Sequence, residues 1–160
     1  MKRLLLLLFV GCQGSLDAPE SGASLDPNFF RCRVQPVLVK NCSAFLCHGD
    51  ARRFLRVYGR DRLRYGVAGE PDRLSKLSAV EIQANFESAS AFVDPTAPDE
   101  SLLLLKPLET DAGGYFHRGA EIFNQGNVFA RPDDPELDVI RQWARGAKEN
   151  ETCVEPGSME

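Results

Sequence analysis

Cys42-Ser43-Ala44-Phe45-Leu46-Cys47-His48-Gly49 is the stretch on which the fold and the chemistry of this chain turn. Two thiols stand five positions apart, and an imidazole directly follows the second. Three outcomes are open to that arrangement. The thiols can close on each other as a local disulfide, with His48 an ordinary surface residue. They can join the imidazole around a metal ion. Or they can form thioethers with the two vinyl groups of a porphyrin while the imidazole takes its iron from the same side. The usual spacing for haem attachment is C-x-x-C-H; here the gap is four residues, so the loop between the thiols must bulge. Zinc is disfavoured, because the chain lacks the paired C-x-x-C or H-x-x-x-H spacings of closed tetrahedral sites.

Compartment is read from the first residues. Lys2 and Arg3 precede an unbroken apolar run from Leu4 to Val10, the layout of a secretory signal rather than of a buried helix in a cytosolic protein. The run is far short of the ~20 apolar residues that span a bilayer. Phe9-Val10-Gly11-Cys12 resembles the lipobox of bacterial lipoproteins, with Phe9 where that family prefers Leu. The resemblance implies removal of residues 1–11, lipidation of Cys12, and a lipid anchor to the membrane; an ordinary cleaved signal is the alternative. Gln13, in place of the Asp that retains lipoproteins at the inner membrane, points to the outer membrane facing the periplasm. Losing Lys2 and Arg3 moves the formal charge from −4 to −6. That balance argues against nucleic acid as a partner, since phosphate binding needs basic surface.

From Cys12 to Leu25 the chain is rich in Gly, Ser, Ala, Asp and Pro, which predicts a flexible linker. A single domain is expected over 26–153, followed by a disordered tail at 154–160. Asp26 and Pro27 open a helix carrying Phe30, Val34, Val37 and Leu38, with Pro36 expected to kink or shorten it. Ser78 and Glu81 have capping-box spacing ahead of Ile82, Phe86, Ala89 and Val93 on one face. Ser101–Lys106 is a short apolar element. Asp134 and Pro135 open the last helix, with Leu137, Ile140, Trp143 and Ala147 as its buried stripe. Thr110–Asp133, with Gly113, Gly114, Gly119 and Gly126, reads as a long loop with one helical turn at most. Nothing reads as a strand, so the fold class is all-α.

Val34-Gln35-Pro36-Val37-Leu38 followed by Cys42…Cys47-His48-Gly49 resembles the opening of cytochrome c-like domains in secreted bacterial proteins. Ser101-Leu102-Leu103, Lys106-Pro107-Leu108 and Trp143-Ala144-Arg145-Gly146-Ala147 are similar to further segments of that family, so the likeness spans roughly residues 29–148. It implies one covalent haem c held by Cys42, Cys47 and His48, with His48 as an iron ligand. It also implies crossing N- and C-terminal helices with long loops. That crossing would bring Cys32 and Cys153 together as a disulfide, closing a loop of about 120 residues for ~4–5 kcal/mol in the chain-entropy model.

Met1 leaves with the signal and Met159 lies beyond Cys153, so the usual methionine is not on offer as the sixth ligand. His117, in a segment resembling the family's "H-G-G-G" with Arg118 and Ala120 as departures, is the candidate instead. Two imidazoles imply a lower potential than His/Met, and an empty position implies high-spin iron. Arg52, Arg56, Arg60 and Arg64 lie four apart, with Arg53 and Arg62 beside them. A helix there would carry a basic stripe, whether for haem propionates, for a redox partner or as a solvated face. No catalytic constellation is present. The expected function is monohaem electron transfer in the cell envelope with a redox protein partner. A haem-free, disulfide-stabilised lipoprotein serving as a binding or structural module is the rival, and a haem sensor or accessory subunit of a larger complex is a third reading.

Overall fold

The computed structural model describes residues 24–66, 73–117, 127–150 and 153. The signal, Cys12, the linker up to Ala23, the segment holding Arg118, Gly119 and Gly126, and the tail with Met159 lie outside the described residues.

α1 (Pro27–Phe29) starts where Asp26 Oδ1 accepts the Phe29 N–H at 2.6 Å and Pro27 takes the first turn. The chain then passes through a π-helical turn, Phe30–Val34, into α2 (Gln35–Cys42). The kink expected at Pro36 is replaced by that turn. Proline has no N–H to donate and its ring crowds the carbonyl four residues back; a turn widened just before it, with Gln35 N–H reaching back to Phe30 O, lets the helix run on.

α3 (Ala79–Ser90) has the full capping box: Ser78 Oγ accepts from Glu81 N, and the Glu81 carboxylate accepts from Ser78 N. The helix ends before Val93, which packs on the core from the following turn. α4 (Leu102–Leu105) is a single turn that buries Leu103 and Leu104. α5 (Pro135–Ala144) is capped by Asp134 Oδ1, which accepts from Glu136 N and Leu137 N. It stops in a Schellman motif: left-handed Gly146 (φ 87°) donates to Trp143 O, and Ala147 donates to Gln142 O, both at 2.9 Å. Ala147 therefore lies outside the helix, although it still touches the core.

The core joins the two ends of the domain. Phe30 and Trp143 are fully buried with ring centroids 5.0 Å apart, and Phe86 of α3 packs edge-on against both. Trp143 Nε1 donates to Asp26 O across 117 positions at 3.0 Å, so the polar atom of the largest buried side chain is satisfied. One disulfide, Cys32–Cys153, ties the chain after α5 to the π-turn. Among the described residues there are only two isolated bridges, Tyr58 with Leu63 and Leu108 with Phe129, and no strand; the fold is all-α. Nor is any described helix long and apolar enough to cross a membrane.

The arginine run does not make the striped helix the spacing allowed. Residues 50–63 run through turns and bends, and Arg64 turns inward. Its Nε and Nη2 grip the Glu81 carboxylate at 2.8 and 3.0 Å, with side-chain exposures of 7% and 2%. The remaining guanidinium hydrogens go to the carbonyls of Arg73, Ser75 and Lys76. Tertiary contact with a buried carboxylate outweighs the weak helical preference of a segment interrupted by Gly59.

Candidate functional site

α2 delivers Cys42 at its last position, buried against the core. Ser43 leaves the helix and its hydroxyl donates back to Val39 O. The eight-residue motif then closes on itself: His48 N donates to Cys42 O at 3.0 Å, and Cys47 N and Gly49 N both donate to Ala44 O. Closing the ring from residue 48 to residue 42 keeps His48 beside Cys42 and pushes the extra residues outward, leaving Phe45 70% exposed. Gly49 is required here, because a Cβ would stand 2.1 Å from Ser43 O.

The ring of His48 is half-buried, and its Nδ1 lies 3.0 Å from Leu55 O. A carbonyl can only accept, so Nδ1 carries the hydrogen and Nε2 presents a lone pair for coordination. Burial lowers its pKa below the usual histidine value, the Leu55 carbonyl opposes that, and neighbouring His117 and Arg53 lower it further. The neutral, ligating form is the one favoured.

Leu55 is placed by α3. Val57 N donates to His48 O at 2.8 Å, Arg56 N donates to Ser88 Oγ, and Asn85 clamps Tyr58 from both sides, accepting from its N–H at 2.7 Å and donating to its carbonyl at 2.9 Å. Asn85 is one turn beyond Glu81 on the same face of α3. That face therefore carries a polar stripe, Glu81, Asn85 and Ser88, that holds the segment from Arg56 to Tyr65.

The second imidazole arrives from the other side of the chain. Tyr115 N donates to Leu105 O at 2.7 Å and Lys106 Nζ donates to Phe116 O at 3.0 Å, so the end of α4 holds the strip that leads to His117. Gly114 belongs to that support rather than to a close approach by a cofactor, since a Cβ there would lie 1.9 Å from Leu108 O. The rings of His48 and His117 come to 5.9 Å between centroids with planes 12° apart. Burial lowers the His117 pKa, and the Lys106 charge lowers it further.

Cys42 and Cys47 are both free thiols. Burial, the neighbouring Cys47 and Glu136 push the Cys42 thiol up to about 12. It is neutral at any physiological pH, which disfavours a charged thiolate ligand at this position. Among the described residues no three His, Cys, Asp or Glu side chains converge as a closed metal cage requires.

The residues present fit a covalently held haem in their chemistry. Two uncommitted thiols, an adjacent imidazole with Nε2 free, and a second neutral imidazole beside it supply the full donor set. The strip that carries His117 also exposes large aromatic side chains, Tyr115 and Phe116, surface that a flat apolar macrocycle would cover. A groove of about 330 Å³ between Phe30, Arg31, Ile82 and Phe86 contains none of the site residues.

Sequence reading named Cys42, Cys47, His48 and His117, and the structure sets the two histidines side by side. It missed the Leu55 carbonyl and the supports Asn85 and Lys106. Only Asn85 left a trace, as a polar residue on the face of α3 that also carries Glu81. No protein-family model matches the chain, and neither a curated protein nor a solved structure is similar to it.

Proposed function

We propose that this chain is a monohaem c-type cytochrome of cytochrome c-like fold, held at the cell envelope through lipidated Cys12 and passing single electrons to a redox protein partner. One observation carries the reading: His48 and His117, from loops far apart in sequence, face each other beside two thiols that are not joined to each other. In a purely disulfide-held domain no such convergence is needed.

Cys42 and Cys47 would hold the haem edge and His48 and His117 its iron; the haem, when bound, supplies the one-electron chemistry. The chain's own task is positional. Leu55 O fixes the tautomer and orientation of His48, Asn85 and Ser88 hold the segment that presents Leu55, and the α4 end with Lys106 holds His117. Two histidine ligands would favour a lower potential than a histidine and a methionine.

The test is the intact mass and visible spectrum of protein exported from a host that matures c-type cytochromes. The expected result is a mass increased by one haem and a sharp alpha band on reduction. His117→Ala should keep the added mass and turn a low-spin spectrum high-spin. Colourless, exported protein with Cys42 joined to Cys47 would overturn the proposal in favour of a haem-free module.

A further inference from the structure

The two loops that flank His48 share an outer surface of unusual chemistry. Phe54 is 94% exposed and Phe45 70% exposed, beside exposed Leu46. Arg52, Arg53 and Arg56 stand on either side of Phe54 and are themselves exposed. The loops are locked to each other by Arg53 Nη2 donating to Leu46 O at 3.0 Å, by Val57 N donating to His48 O, and by the His48–Leu55 contact, so these six residues belong to one rigid patch. Only Arg52 has a carboxylate partner, Asp50; Arg53 and Arg56 have none among the described residues. From Asp50 to Arg64 the chain carries six arginines against two aspartates, within a protein whose formal charge is −4.

A phenyl ring exposed to that degree, between guanidinium groups, is poorly suited to water and well suited to a phospholipid interface. The ring enters the boundary of the acyl chains and the guanidinium groups take phosphate oxygens. Each basic side chain near an anionic membrane adds to the attraction, which salt screens. Chain length permits it. Thirteen residues separate Cys12 from Asp26, and a chain of that length can span at most about 45 Å.

We infer that Phe45, Leu46, Arg52, Arg53, Phe54 and Arg56 form a membrane-contact surface that lays the domain on an anionic phospholipid bilayer. The occupant is the bilayer to which Cys12 would tether the chain, so the inference rests on the lipidation reading and is independent of haem. A surface so seated would orient the His48 corner toward the membrane plane.

The experiment is limited trypsin digestion of the full exported chain on vesicles, read by mass spectrometry. Cleavage after Arg52, Arg53 and Arg56 is compared with cleavage after Arg145, whose side chain is 56% exposed at the end of α5. On phosphatidylglycerol vesicles the three patch sites should be cut at least tenfold more slowly, relative to Arg145, than in detergent. The protection should be lost on phosphatidylcholine vesicles or in 0.5 M salt. Phe54→Ser retains every cleavage site and should lose most of the protection. The mass of the N-terminal fragment reports acylation, and that of the fragment holding Cys42 reports haem, so failure of either reading is seen separately. Equal cutting in detergent and on phosphatidylglycerol, or equal protection on both lipids, would overturn the inference. Protection by polyglutamate but not by vesicles would overturn it in favour of an acidic protein partner.

Discussion

Two regions of this domain hold clusters of polar groups, and they are built on opposite terms. Around Arg64 and Glu81 every polar group is answered from within. The carboxylate takes two bonds from the guanidinium and others from Tyr65 N, Ser78 N and Ser78 Oγ, and the guanidinium hydrogens left over find carbonyls. Around His48 the opposite holds. Two thiols are free, two imidazoles keep unshared nitrogen, and phenyl rings face solvent. A cluster whose valences are satisfied internally is structural; one that leaves thiols and imidazole nitrogens open keeps groups the fold itself does not consume, and it is these that the haem proposal uses.

The comparison breaks most easily at its saturated side. Arg64→Met leaves the Glu81 carboxylate buried without its cation, and should cost about 3–5 kcal/mol, read as a lowered urea midpoint at unchanged slope. A loss below 1 kcal/mol would mean that water already shares the pair. Asn85→Ala unpairs the N–H and C=O of buried Tyr58, with an expected loss of about 2–3 kcal/mol. It should also loosen Leu55, so amide exchange in the 55–58 segment should quicken more than in α5.

Acid sharpens the contrast further. Burial raises the pKa of Glu81, but the hydrogen bonds from Arg64, Ser78 and Tyr65 outweigh it and hold the group at about 2, against 4.5 ordinarily. The unfolded chain therefore binds the extra proton first, so this contribution is complete above about pH 4.5 and is lost as pH falls toward 2. Glu81→Gln should be less stable than the parent at pH 6 and should show a flatter decline between pH 5 and 3. Parallel declines would remove Glu81 from the acid response. The smallest effect belongs to the open side: in haem-free protein His117→Ala should alter stability by less than about 0.5 kcal/mol, as expected for a group retained for a ligand rather than for the fold. A loss above 2 kcal/mol would make His117 structural.

Much of the helical frame was legible because its signals are local. Asp26 with Pro27, Ser78 with Glu81, and Asp134 with Pro135 mark helix starts through bonds that span three residues, and each stands where the residues said. Helix ends were read less well. The apolar period runs on through Val93 and Ala147, yet both helices stop earlier, since a turn can hand an apolar side chain to the core as readily as a helix can. The basic stripe at Arg52–Arg64 failed for a related reason: spacing of four describes a helix only if the backbone takes that path.

Chain chemistry by itself determined the candidate donor set, Cys42, Cys47, His48 and His117, and the all-α class, because residue identity and short-range capping are properties of the polymer. Tertiary structure decided which face of His48 is free, which arginine is buried, and that residue 117 reaches residue 48. Those outcomes depend on a carbonyl at Leu55, a carboxylate at Glu81 and an ammonium at Lys106, which stand 7, 17 and 10 positions from the groups they meet and belong to other turns of the chain. No local pattern encodes a meeting whose partners are chosen by the packing of the whole core.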